Sequence, residues 1–217
     1  MTEDELFEKY GGISAALKER LSPVRYRHTL GVAYTSAALA MRYRENVEKA
    51  FLAGLLHDAA KYMTKDDYLR KAFEFGLPVS DTERSSPGLL HAKLGAYFAE
   101  HEFGVTDPDI LAAVRSHTTG HADMSLLEQI VCIADYIEPS RPSLPLIDEL
   151  REYAFTDLDR ACYLYAKRQI EFLKECGKAV DPSSEEMCLF YGNKVLSGND
   201  SDNSAQTDNE KKVKESE

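Results

Sequence analysis

Apolar residues recur at helical spacing along most of the chain, and the segments between them carry residues that start and stop helices. Ser22 followed by Pro23 is an N-cap with proline at the first helical position. Thr64 with Asp67 has the spacing of a capping box, and signals for strands are almost absent. The pattern therefore predicts an all-α bundle of about eight helices, over residues 23–44, 46–62, 64–76, 87–104, 108–117, 125–138, 157–176 and 184–196.

The C-terminal segment, residues 197–217, differs in composition from the rest of the chain. Its apolar side chains are Ala205 and Val213, set among Gly, Ser, Asn, Asp, Glu and Lys. Such a segment cannot bury enough apolar surface to offset the entropy that folding costs. We therefore predict a single domain over residues 1–196, followed by a disordered acidic tail over 197–217.

The charge of the chain restricts its partners. Acidic residues outnumber basic ones by 37 to 26, so the formal net charge is -11, and we expect no nucleic-acid partner because phosphate is repelled. The longest apolar stretch, residues 50–56, is far shorter than the roughly 20 residues that span a bilayer. Residues 1–10 are rich in acidic side chains, unlike a signal peptide. We expect no membrane contact and a cytoplasmic location.

Two aspartates lie inside apolar segments, where an unpaired carboxylate is costly. Asp58 follows His57 directly after the apolar run 50–56, and Asp135 lies within the apolar run 130–137. An isolated buried carboxylate would cost several kcal/mol, so each needs a partner. His28, His91 and His117 lie on other predicted helices. Two buried aspartates and several core histidines together favour a bound metal ion.

The order of these residues, His28, then His57 with Asp58, then His91 and His117, then Asp135, resembles the HD superfamily of metal-dependent phosphohydrolases. The strings RYRHTLGVA, AGLLHDAAKY, LLHAKLGAYFA, SHTTG and CIADYIEPSR are similar to one branch of it, the symmetrical bis(5'-nucleosyl)-tetraphosphatases. This similarity extends over roughly residues 21–196. It implies an all-helical HD domain, an iron cofactor and cleavage of diadenosine tetraphosphate into two ADP.

The resemblance also implies a role for each matching residue. The ligands of the tightly held ion are then His28, His57, Asp58 and Asp135. His91 and His117 match positions that either face the substrate phosphates or complete a second metal site. The number of metal ions, one or two, therefore remains open. Mixed imidazole and carboxylate ligands also suit manganese, cobalt, nickel or zinc, and affinity alone does not select iron.

Hydrolysis of a phosphoanhydride needs a nucleophile at neutral pH, and a bound cation provides hydroxide by lowering the pKa of water toward about 7. Asp58 is then a candidate ligand and proton acceptor at once. Lys61, one turn beyond His57, is a candidate catalytic cation for the charge that grows on the leaving phosphate. Thr118 and Arg141 are candidate contacts to phosphate oxygens.

These inferences predict a metal-dependent hydrolase of small nucleotides with ADP as its product. The alternatives are another HD phosphohydrolase, either a nucleoside 5'-monophosphatase or a cyclic dinucleotide phosphodiesterase, or a nucleotide-binding module without turnover. The sequence leaves the oligomeric state open, and a homodimer is one possibility.

Overall fold

The structure is a computed structural model that describes residues 3–142 and 145–197, and within these ranges it is helical and contains no strand. The predicted all-α class is therefore confirmed. The helices are α1 (Glu3–Arg20), α2 (Pro23–Tyr43), α3 (Val47–Leu56), α4 (Lys65–Glu74), α5 (Asp81–Ser85), α6 (Leu90–His101), α7 (Pro108–Ser116), α8 (Leu126–Ile137), α9 (Ile147–Thr156), α10 (Leu158–Glu175) and α11 (182–197), and a 3-10 helix at Pro87–Leu89 precedes α6.

The capping residues explain where several helices begin. The Ser22 side chain accepts a hydrogen bond from the backbone N–H of Arg25 at the start of α2. Reciprocal capping boxes form at Thr64 ahead of α4 and at Ser125 ahead of α8. Each cap satisfies backbone donors that the first helical turn leaves without an intrahelical partner. The start signals read from the sequence are present in the structure.

The main difference from the predicted elements lies at the end of α3. The sequence predicts that this helix continues to Tyr62, whereas it ends at Leu56 and residues 57–62 form tight turns. Backbone hydrogen bonds there span three residues, from Ala59 N to Leu56 O and from Lys61 N to Asp58 O. These tighter turns let the adjacent side chains of His57 and Asp58 face one centre.

Three helices were not predicted, and each lacks part of the usual signal. The first, α1, opens on a run of acidic residues rather than an apolar stripe. A length of five residues makes α5 too short to show helical periodicity. The third, α9, follows Leu146 in a left-handed conformation and has no side-chain cap.

In the core α2 packs against α3, α8 contacts both of these helices, and α7 contacts α3 and α8. The close approach of α2 and α3 depends on Gly54, since a Cβ atom there would lie 2.8 Å from Ala33 Cα. A smaller apolar cluster, which includes Tyr68 and Leu94, joins α4 to α6. This packing fixes α2 and the end of α3 relative to one another.

The structure also bears on two further predictions, that of no membrane contact and that of a disordered C-terminal tail. Among the described residues, every helix is too short or too polar to cross a membrane. Residue 197 lies in α11, and the rest of the predicted tail, residues 198–217, lies outside the described residues. The disordered tail and the cytoplasmic location therefore stay predictions.

Candidate metal centre

Side chains from separate segments of the bundle converge on one buried centre that α2, α3, α6, α7 and α8 surround. The four imidazoles and one of the carboxylates are buried, and the second carboxylate retains 21% exposure. The centre thus brings together all six residues of the predicted metal and phosphate set. These residues are His28 of α2, His57 and Asp58 just after α3, His91 of α6, His117 just after α7, and Asp135 of α8.

The first half of the centre lies around one oxygen of Asp58. Its Oδ2 is 3.4 Å from His57 Nε2 and 3.8 Å from His28 Nε2. His28 Nε2 is also 3.0 Å from Asp135 Oδ1, and the two Nε2 atoms of His28 and His57 are 3.3 Å apart. The ligand atoms of His28, His57 and Asp58 therefore lie within 4.8 Å of one another, and Asp135 Oδ1 adjoins both imidazoles, at 3.0 Å from His28 Nε2 and 3.8 Å from His57 Nε2.

The second half lies around the other oxygen of the same carboxylate. Asp58 Oδ1 is 3.4 Å from His91 Nε2 and 3.8 Å from His117 Nε2. These two Nε2 atoms are 3.1 Å apart. Asp58 consequently stands between two groups of imidazoles and gives one oxygen to each.

In three of the four rings, a hydrogen bond at Nδ1 fixes the orientation in which Nε2 faces the centre. Nδ1 of His57, His91 and His117 lies 2.5 to 2.7 Å from the backbone carbonyl oxygens of Gly54, Gly88 and Val114 respectively. Because a carbonyl only accepts hydrogen bonds, each Nδ1 carries a proton, and in the neutral ring Nε2 then presents its lone pair to the centre.

The donor set fits a cation for a reason visible in these contacts. His91 and His117 point lone pairs at each other across 3.1 Å with no proton between them. The carboxylate oxygens of Asp58 add negative charge to the same space. Such lone pairs repel one another unless a cation or a protonated group lies among them. The residues present therefore match a divalent metal by number and by type.

Burial and charge shift the pKa values of most of the cluster in the direction that metal binding needs. His57 is the exception: burial lowers its pKa, but the carboxylates of Asp58 and Asp135 raise it above its ordinary value, so this ring would give up a proton when a metal binds. Burial lowers the pKa of His91 well below its ordinary value and lowers the pKa of His117 to about 4. Burial by itself would raise the pKa values of Asp58 and Asp135, but the neighbouring histidines hold both well below the usual range. Neutral imidazoles and ionised carboxylates are the ligating forms.

Three cationic side chains surround this centre. Arg25 Nη1 donates to Asp58 Oδ2 over 2.8 Å. Arg141 donates through Nε to the backbone oxygen of Asp135 over 2.8 Å and through Nη2 to its carboxylate. Burial chiefly lowers the pKa of the Lys61 ammonium, which interacts electrostatically with Asp58. The structure therefore places both predicted cations, Lys61 and Arg141, beside the cluster.

Arg25 contacts the centre and was not predicted from the sequence. It lies three residues before His28 on α2, and side chains with this spacing share one face of a helix. Once His28 is a candidate ligand, this spacing is the signal that identifies Arg25. Its side chain is 36% exposed, so it lies at the edge of the centre rather than inside it.

The Thr118 hydroxyl also lies against the cluster. Its Oγ1 is 3.0 Å from Nε2 of both His91 and His117. The turn that carries it is held from the C-terminal part of the domain, where the Tyr165 hydroxyl donates to the Thr118 carbonyl over 3.2 Å. The predicted phosphate contact is thus within reach of the same centre.

A helical bundle that encloses four imidazoles and two carboxylates in this arrangement defines a divalent-metal-binding domain. The family model for the HD domain matches residues 25–140, a span that holds all six of these side chains. The chain belongs to the HD domain family, and within it to the symmetrical bis(5'-nucleosyl)-tetraphosphatases.

Two relatives and one solved structure support this assignment. The Bacillus subtilis protein named "Bis(5'-nucleosyl)-tetraphosphatase, symmetrical" is 39% identical over 170 residues, covering 78% of this chain and 90% of that protein. The Staphylococcus aureus protein of the same name is 38% identical over 180 residues, covering 81% and 90%. A crystal structure described as a predicted HD superfamily hydrolase involved in NAD metabolism, from Clostridium acetobutylicum, has a TM-score of 0.82 at 36% identity, covering 85% of this chain and 97% of that one.

Proposed function

We propose that this protein hydrolyses symmetrical dinucleoside tetraphosphates and converts diadenosine tetraphosphate and water into two ADP. The observation that carries the proposal is the position of Asp58, with one carboxylate oxygen toward each pair of imidazoles. The named relatives, matched over 90% of their length, support the choice of substrate. A substrate of this kind is a small polyanion, which a cationic and metal-bearing site accommodates.

The four residues His28, His57, Asp58 and Asp135 would hold one divalent ion. The second group, Asp58 with His91 and His117, has ligand atoms within 4.8 Å of one another, which supports a second ion there over a direct phosphate contact. Iron is the metal that the family resemblance favours, and elemental analysis distinguishes it from manganese, cobalt, nickel and zinc. When bound, such an ion lowers the pKa of water and polarises a phosphoryl oxygen.

The remaining residues would bind and orient the polyphosphate. Arg25 and Arg141 lie at the partly exposed edge of the cluster and can offer guanidinium N–H groups to phosphate oxygens. Lys61 interacts electrostatically with Asp58 and would face the leaving ADP. Thr118 would donate its hydroxyl proton to a phosphate oxygen, and the ionised Asp58 would accept a proton from the attacking water.

Product analysis in water enriched in oxygen-18 tests this proposal. Metal-loaded protein is incubated separately with diadenosine tetraphosphate, AMP and a cyclic dinucleotide, and the products are separated by chromatography and weighed by mass spectrometry. We expect ADP alone from the first substrate, with one labelled oxygen in the β-phosphate of half of the ADP molecules. Attack at the central anhydride produces this pattern, because one ADP receives the oxygen of the attacking water and the other ADP keeps the bridging oxygen.

Other outcomes would identify the alternatives. Formation of ATP and AMP would show attack at a different phosphorus. Faster release of phosphate from AMP, or of linear product from the cyclic substrate, would assign another HD phosphohydrolase activity. Binding without turnover of any of the three by fully loaded protein would contradict catalysis and favour a nucleotide-binding module.

A further inference from the structure

His28 lies between two carboxylates that come from the same helix end. Its Nε2 is 3.0 Å from Asp135 Oδ1, and its Nδ1 is 3.0 Å from Glu138 Oε1. Asp135 belongs to α8, and Glu138 directly follows its last residue. One side of the ring therefore faces the metal cluster, and the other faces a carboxylate that contributes no atom to the cluster.

This arrangement separates His28 from the other three histidines of the centre. Those rings donate their Nδ1 protons to backbone carbonyls, whereas His28 has a carboxylate partner. A hydrogen bond to an ionised acceptor is roughly twice as strong as one to a neutral acceptor. A carboxylate behind a histidine also makes its other nitrogen a more basic ligand and fixes the orientation of the ring.

Glu138 is itself held in place. Its side chain is 1% exposed, and it accepts hydrogen bonds from the backbone N–H and the hydroxyl of Ser140, at 2.6 and 2.7 Å. On the α2 side it lies against Gly31, where any Cβ atom would overlap the Glu138 carboxylate. These contacts hold the carboxylate in the position where it meets His28.

We propose that Glu138 is a positioning residue of the metal centre, which fixes the His28 ring through Nδ1 and strengthens the bond that Nε2 makes to the first ion. The inference rests on the proposed metal ligands. Glu138 acts through His28 and touches neither the substrate nor the metal. Removing its charge should therefore weaken metal binding even where the fold is unchanged.

Cobalt binding by the full chain tests this role. Metal-free protein is titrated with Co²⁺ in the presence of a competing chelator, and visible absorption reports occupancy. We expect Glu138→Leu to weaken binding about 10- to 100-fold, as loss of a carboxylate behind a ligating histidine typically does. Glu138→Gln keeps an acceptor oxygen of the same size, so its loss should be smaller than that of the leucine variant.

A matched control is available in α8, the helix that Glu138 directly follows. Glu128 is also a buried carboxylate paired with a histidine, His121, at 2.8 Å, but it lies outside the cluster. Glu128→Gln should leave the Co²⁺ affinity unchanged. In a His28→Ala background, Glu138→Gln should have no further effect because the ring it acts through is missing.

Each remaining outcome decides a different question. Equal Co²⁺ affinity of Glu138→Gln and the unaltered protein overturns the inference, and so does an undiminished effect of this substitution in the His28→Ala background. If Glu138→Leu fails to fold, the glutamine variant alone decides. No uptake of Co²⁺ by the unaltered protein overturns the metal assignment, and the proposed function with it.

Discussion

At the scale of single residues, Asp58 connects the two halves of the centre. Its carboxylate is buried, yet each oxygen has imidazole nitrogens within 3.4 to 3.8 Å. Arg25 adds a guanidinium contact to Oδ2. The negative charge of this one group therefore bears on both candidate metal positions.

Asp58→Asn should consequently disrupt both positions at once. The amide keeps the shape of the side chain but loses the charge, so we expect less than one ion per chain and a fall in kcat/KM of about a thousandfold. Elemental analysis and steady-state kinetics on diadenosine tetraphosphate measure the two effects. Asp148→Asn is the control, because the Asp148 side chain is 96% exposed on α9. Full metal content in Asp58→Asn would contradict the shared-ligand role.

The sequence identified most residues of this centre because burial of charge is visible in composition. Asp58 and Asp135 stand in apolar runs, where a carboxylate needs a counter-charge. Arg25 and Glu138 were not predicted, since their roles depend on which side chain each one faces. A basic residue near a helix start and an acidic residue near a helix end are common on protein surfaces.

At the scale of elements, the centre depends on how closely α2 approaches α3. Gly54 lies in the contact, and a Cβ atom there would be 2.8 Å from Ala33 Cα and 2.9 Å from Ser36 Oγ. His28 and His57 are carried by these two segments. Separation of the helices would therefore move the two imidazoles apart as well as loosen the core.

Gly54→Ala should destabilise the fold by about 1–3 kcal/mol, the usual cost of overpacking a close contact. The opposite sign is expected for Gly12→Ala, since Gly12 lies in α1 and a Cβ atom there would have no neighbour outside its own helix within 4 Å. There the gain is about 0.5–1 kcal/mol from helix propensity. Urea unfolding of both variants measures the difference. A neutral Gly54→Ala would show that α2 and α3 can separate at no cost.

Helix starts were predictable because capping is local, as at Ser22, Thr64 and Ser125. The end of α3 was not predictable from periodicity, because the apolar pattern continues through Ala59 and Ala60. There the chain leaves the helix in tight turns that carry His57 and Asp58 into the centre. Long-range packing decided this boundary.

At the scale of the whole molecule, the proposed ions link helices that are distant in sequence. Ligand candidates extend from residue 28 to residue 135 and come from segments on every side of the centre. A ligand that binds the folded state alone stabilises it by mass action. The metal centre is therefore expected to contribute to the stability of the domain as well as to catalysis.

Metal removal should lower the melting temperature of the protein. At a free metal concentration one hundred times the dissociation constant, binding adds about 2.7 kcal/mol to the free energy of unfolding. We expect this increment to disappear in chelator and to return when the metal is restored. Thermal unfolding in both conditions measures it, with Asp58→Asn as the variant that should not respond. A melting temperature that chelation leaves unchanged would contradict a structural contribution of the ions.

The sequence by itself determined the helical class, most helix starts and the residue types of a metal site, because capping, periodicity and the cost of buried charge are encoded locally. Only the tertiary structure decided how those residues divide between the two halves of the centre. It gave each oxygen of Asp58 its own pair of imidazoles and placed Glu138 behind His28. These contacts depend on the directions and distances between helices. Packing sets those distances, and the spacing of residues along the chain does not specify them.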